Sequence, residues 1–129
     1  MIRIVRLGGP RAAGEGPRIG TVRRPPRGVP KAKFASLDFY DAWLPELAPS
    51  DALVKQGLAA ATDREWAAFV KRYRAEMNQP APSRLLGVLA QLSHTADFSV
   101  GCYCEDETRC HRSVLRELLR EHGATVSAR

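Results

Sequence analysis

A short apolar run, Phe98 to Tyr103, is followed after a few polar residues by an amphipathic stretch from Cys110 to Glu121, and this pairing limits the folds open to the chain. The run FSVGCY is strand-like, bounded by Asp97 before it and by Glu105-Asp106-Glu107 after it. The stretch that follows sets Val114, Leu115, Leu118 and Leu119 on one face at helical spacing, and Gly123 stops it. A strand that feeds a helix regains its sheet by a crossover, so the sheet it belongs to is parallel. All three cysteines, Cys102, Cys104 and Cys110, and one of the three histidines, His111, fall in this segment. Strand ends that deliver reactive side chains to a helix N-terminus are a common way of building a site in an α/β domain.

The rest of the chain reads consistently with that start. Ile2 to Leu7 is an opening strand ended by Gly8-Gly9-Pro10, and Ile19 to Arg24 is a second strand stopped by Pro25-Pro26. Residues 8–18, rich in Gly, Pro and Ala, read as a mobile loop. In residues 25–33 three prolines forbid helix, leaving a stiff extended loop. Leu37 to Leu44 reads as a short helix with Phe39, Tyr40 and Trp43 on one face. Ser50 is an N-cap for a helix over Asp51 to Ala60, with Asp51 against the positive end of its dipole. Thr62-x-x-Glu65 is a capping box opening a helix over 63–77, whose buried face is Trp66, Phe69, Val70, Tyr73 and Met77. Asn78-Gln79-Pro80 breaks it, and a further helix starts at Ser83. Ala124 to Ser127 reads as a short edge strand. The expected architecture is a single α/β domain over 1–129, with a small, mostly parallel sheet flanked by helices.

Charge separates the ends of the chain. Residues 1–33 carry nine Arg or Lys and one acid, Glu15, whereas residues 34–129 carry eleven basic and thirteen acidic residues. A basic N-terminal quarter suggests an anionic partner, either a phosphorylated small molecule or nucleic acid, although charge runs also serve as solvated faces. No run approaches the length a membrane span needs, no secretory signal is evident, and three cysteines do not make a disulfide framework. The expected setting is the cytoplasm.

Arg27-Gly28 with Lys31, Asp41-x-Trp43, Leu47-Ala48-Pro49-Ser50, Trp66-x-x-Phe69-x-x-Arg72-Tyr73, and Cys104 with Cys110-His111-Arg112 follow one another in an order that resembles the YeaO-like proteins of domain-of-unknown-function family 488. The resemblance covers roughly residues 19–119. It implies a small bacterial α/β domain and brings no assigned activity. Where YeaO-like members have Asp-Arg-Leu-Trp-Pro-Arg-Gly, this chain has Val22-Arg23-Arg24-Pro25-Pro26-Arg27-Gly28, and the Cys-His-Arg ending looks like another branch of the family.

Three chemistries are open at the strand–helix junction. The first is an anion pocket, in which Arg24, Arg27 and Arg112 hold a phosphate or carboxylate, with Arg23, Lys31, Tyr73 and Cys104 around it. Alternatively, Arg112 pairs with Glu105-Asp106-Glu107 as a structural clamp. The second is nucleophilic catalysis by Cys110 with His111 as base, since a helix N-terminus lowers a thiol pKa. A phosphatase-like Cys-x5-Arg loop between strand and helix does not start at either strand cysteine, because the residue six beyond Cys104 is Cys110 and the residue six beyond Cys102 is Thr108. The third is a zinc site of Cys102, Cys104, Cys110 and His111, with residue types suited to the metal but not the usual spacing. No other cofactor is called for. As a binding module with no turnover, the chain would use the same arginines on a nucleotide or nucleic acid; as a purely structural partner protein, it would spread its basic face and have no pocket.

Overall fold

A computed structural model describes residues 1–128. Its centre is a four-stranded, all-parallel sheet of β1 (Ile2–Arg6), β2 (Arg18–Gly20), β3 (Ala42–Trp43) and β4 (Phe98–Cys102), in the spatial order β1-β4-β2-β3. The segment that sets the fold is thus a central strand. β4 pairs with β1 from Ile2 opposite Phe98 to Arg6 opposite Cys102, and with β2 from Arg18 opposite Ser99 to Gly20 opposite Gly101. All five residues of β4 are buried, as expected of a strand covered on both faces. Val126 adds a single parallel bridge to Ile2 at the edge of the sheet.

Four helices follow the sheet's logic: α1 (Asp51–Ala59), α2 (Asp63–Met77), α3 (Pro80–Leu92) and α4 (His111–Glu121). Ser50 caps α1, and the Thr62 hydroxyl caps α2 by accepting from the Glu65 amide while donating to the Glu65 carboxylate, each at 3.1 Å, in place of the fully reciprocal box. α3 begins at Pro80, three residues before Ser83. A proline at the first helical position sacrifices an amide that has no intrahelical partner anyway. Phe98 and Val100 of β4 pack with Phe69, Tyr73, Leu115 and Leu119 in the main core.

The opposite face of β4 is covered without a helix. Ser99 there donates to Glu15 at 2.9 Å, and Glu15 pairs with Arg18 inside the turns of residues 8–18. The helix expected over Leu37 to Leu44 is not formed. In its place a 3-10 turn at Lys31–Lys33 leads through tight turns to β3. The sheet outcompetes the helix here because the Asp41 amide donates to the Arg18 carbonyl, the Leu44 amide donates to the Gly20 carbonyl, and the Asp41 carboxylate accepts from the Arg18 amide. The aromatic residues that suggested a helical face pack instead into a second cluster. Tyr40 joins Leu7, Val22, Cys102 and Cys110 at the C-terminal end of β4, and Phe39 meets Tyr103 edge-on. The second strand is correspondingly shorter than Ile19 to Arg24, since the chain leaves the sheet after Gly20.

Candidate functional site

β4 ends at Cys102, and α4 begins at His111 with Cys110 in an extended conformation just before it. Between them a 3-10 turn, Glu107–Arg109, is capped by the Asp106 carboxylate. The turn folds the chain back so that the strand end and the helix start share a wall. Cys102 Sγ lies 3.7 Å from Cys104 Sγ, and Cys110 Sγ lies 3.8 Å from His111 Nδ1. The donor atoms of Cys102, Cys110 and His111 all fall within 4.8 Å of one another.

His111 is oriented by a group far away in the sequence. Its Nε2–H donates to the Thr21 carbonyl at 2.7 Å, just beyond β2. That bond fixes the neutral tautomer and leaves the Nδ1 lone pair facing Cys110. Burial pushes the His111 pKa down to about 4, despite the pull of the Thr21 carbonyl. Cys110 is held well below the usual thiol range, first by hydrogen bonds from the Cys102 and Cys104 thiols and then by the amide and guanidinium of Arg112. Cys102 is correspondingly pushed up as the donor of that set. Burial keeps the His111 imidazole neutral at this wall. Its Nδ1 is a lone pair aimed at sulfur.

These groups form part of the wall of a cavity of about 310 Å³. Its sides are apolar: Val22, Val54 and Gly57 on one hand, and the stacked rings of Trp66 and Phe69, 4.7 Å apart, on the other. Arg23, Arg24 and Arg109 also line it, and none of the lining residues is acidic. Arg23 is committed to the backbone, donating to the Pro49 and Ala48 carbonyls. Arg24 pairs with Asp51 at 2.9 Å, but its side chain is 75% exposed. Arg109 pairs with Asp63, whose side chain is 99% exposed, and lies over the Trp66 ring.

The arginines expected to converge are therefore distributed differently. Arg24 reaches the cavity, whereas Arg27 is exposed and is not in its lining, and Lys31 lines a separate groove with Tyr40 and Trp43. Arg112 is buried, donating to the Cys104 carbonyl, and its Nε has no hydrogen-bond partner. Nor does Arg112 form the acidic clamp. Arg116 takes that role, donating to both Glu107 carboxylate oxygens at 2.8 and 3.0 Å. Tyr73 is fully buried, its hydroxyl donating to the Leu47 carbonyl at 2.6 Å while its ring meets His111 edge-on. Arg109 and Thr21 were not singled out by sequence. Arg109 directly precedes Cys110 and was the legible one of the two, whereas a backbone carbonyl leaves no residue-type signal.

Among the described residues no helix is long and apolar enough to cross a membrane. The family model described as the active DUF488-N3 subclade, DUF488-N3a, matches residues 2–123, and the chain belongs to that family. No curated protein and no solved structure matches the chain.

Proposed function

We propose that the cavity binds a small molecule with a flat apolar body and an anionic end, nucleotide-like in its chemistry, and presents its reacting part to Cys110 and His111. The observation that carries this reading is the polarity of the cavity: aromatic and aliphatic sides, a sulfur and imidazole wall, and a lining whose charged residues are all arginines. A volume of about 310 Å³ lies at the small end of the range for ligand sites. The stacked Trp66 and Phe69 suit a planar ring.

Energetics decide which arginines are available to the anion. Exposed ion pairs contribute only about 0–1 kcal/mol, so Arg24 and Arg109 can exchange Asp51 and Asp63 for a phosphate or carboxylate at little cost. Arg23 cannot do so without abandoning two carbonyls. Arg112 supplies positive charge from behind the wall rather than a contact at the opening. The description of the family as an active subclade accords with turnover at this wall.

Thermal unfolding in the presence of nucleoside monophosphates, the matching nucleosides, inorganic phosphate and a short oligonucleotide tests the proposal. A monophosphate that binds the folded chain raises the midpoint, the nucleoside does so less, and Arg109→Ala or Arg24→Ala reduces the difference. No shift with any monophosphate overturns the reading. A shift with the oligonucleotide alone, abolished by salt, would replace it with nucleic-acid binding.

A further inference from the structure

We propose that Cys102, Cys110 and His111 hold a soft divalent cation, with zinc as the expected ion, and that its fourth coordination position opens into the cavity. The location of the substrate rests on the reading above; the metal site itself does not.

The geometry is that of a ligand set. Zinc bonds sulfur at about 2.3 Å and nitrogen at about 2.0–2.1 Å, so a tetrahedral site has sulfur–sulfur edges of about 3.8 Å and sulfur–nitrogen edges of about 3.6 Å. Cys110 Sγ to His111 Nδ1 is 3.8 Å, and the three donor atoms lie within 4.8 Å of one another. The set therefore closes on an ion through side-chain adjustments of tenths of an ångström to one ångström, with no movement of the backbone.

The second requirement is that the histidine offer a lone pair in a fixed direction. Metal-bound histidines donate their other ring N–H to a carbonyl or carboxylate, which fixes tautomer and ring plane. His111 does this through Nε2–H to Thr21, and its ring is further held by the edge of Tyr73 at 5.6 Å. A histidine that served only to fill the core would have no need of a free nitrogen turned to two sulfurs.

Charge supplies the third point. Arg112 is a buried cation whose Nε lacks a partner, beside Cys104 and Cys110. Two thiolates and one imidazole on a divalent ion are neutral overall, so the Arg112 charge remains and favours an anionic fourth ligand. The half-buried Cys104, 3.7 Å from Cys102, borders that open position in the cavity wall. Two cysteines, one histidine and an open site make the ligand pattern of a zinc that acts as a Lewis acid.

The test uses the full chain, expressed without a polyhistidine tag in zinc-supplemented medium. Native mass spectrometry is expected to give one zinc per chain, and Cys102→Ser and His111→Asn are expected to lose it. Cys104→Ser is expected to keep it, and its loss there would make the site closed with four ligands and overturn the open position. Because a ligand variant could fail to fold, cobalt titration of the stripped wild-type chain serves as an independent measurement. Tetrahedral visible bands with sulfur charge-transfer absorption, displaced by zinc, are expected. A metal-free chain with three titratable thiols and no such bands, or a disulfide between Cys102 and Cys104, overturns the proposal. Nucleotide-induced thermal shifts on the stripped chain separate the two readings, since the pocket can bind with no metal present.

Discussion

Arg18 and Glu15 form a fully buried ion pair in which every guanidinium donor has a partner. Nε donates to Glu15 Oε2 at 2.6 Å, and the remaining donors go to Glu15 Oε1 and to the Gly9, Pro10 and Asp38 carbonyls. The carboxylate also accepts from Ser99 of β4 and from the Ala12 amide. One charge pair thus organises the turns of residues 8–18 and the chain leading to β3, and fastens both to the sheet face that has no helix. Residues 8–18 have little apolar material for a core, and the pair does the work of one.

Glu15→Ala is expected to destabilise the fold by about 3–5 kcal/mol, because it strands a buried cation. Replacing both partners with apolar residues, as in Glu15→Leu with Arg18→Met, often restores stability at such sites. Here it is expected not to, since the Gly9 and Pro10 carbonyls would lose the donor that Arg18 gives them. Urea unfolding of the single and double variants checks both statements, and a double variant as stable as the parent would refute the second.

The same pair sets the acid limb of stability. Burial alone would raise the Glu15 pKa from its ordinary 4.5, but the bonds from Arg18, Ala12 and Ser99 outweigh it and hold the group lower. Asp41 behaves alike, with burial opposed by Arg11 and the Arg18 amide, and falls below its ordinary 3.8. Both groups are depressed in the folded state, so their contribution is complete above those ordinary values and is lost as pH falls through and below them. Urea midpoints are expected to decline already from about pH 7, as the unfolded chain takes up protons on His111 and Cys110 that the folded one refuses, and to drop more steeply below about 4 as Glu15 and Asp41 add their share. In Glu15→Gln the drop should be shallower, and an unchanged slope would assign the acid limb elsewhere.

The contrast between α2 and the chain from Leu37 to Leu44 shows how far the sequence could be read. Thr62 and Glu65 announce the start of α2 locally, and Phe69, Tyr73 and Met77 recur on one face, so neighbours along the chain carry the information. Phe39, Tyr40 and Trp43 also mimic helical spacing. Their fate, however, is decided by Arg18 and Gly20, whose carbonyls lie across the sheet and accept their neighbours' amides. The candidate site divides in the same way. The cysteines and His111 are visible as a group because they surround one strand–helix junction. The guanidinium groups are not, since whether Arg24 or Arg27 reaches the cavity depends on the turn after β2, and Arg112 faces inward from the first turn of α4.

Gly57 sits where α1 passes the cavity, and a Cβ there would lie 3.0 Å from the Phe69 ring. Gly57→Ala gains up to about 1 kcal/mol of helix propensity, which offsets a slight displacement of Phe69. Stability is therefore expected to stay within about 1 kcal/mol of the parent, while the ring stack with Trp66 shifts into the space available to a ligand. The measurement is the monophosphate-induced rise in unfolding midpoint, expected to shrink in this variant. A full rise would show that the ligand does not lie against Phe69.

Tyr73 joins stability to the site through two separable features, its hydroxyl and its ring. The hydroxyl donates to the Leu47 carbonyl in the interior, where no water can replace it, so Tyr73→Phe is expected to cost about 1–3 kcal/mol. Tyr103→Phe makes a useful comparison, because its hydroxyl donates to the Arg24 carbonyl in an exposed setting and its loss should cost less than about 0.5 kcal/mol. The ring of Tyr73 meets His111 edge-on, and phenylalanine keeps that contact. Tyr73→Phe should therefore retain zinc, whereas Tyr73→Leu, which frees the imidazole plane, should bind it more weakly. Chemical denaturation ranks the three variants, and chelator competition ranks their metal affinity. Equal affinity in the phenylalanine and leucine variants would show that the Thr21 carbonyl alone holds His111 in place.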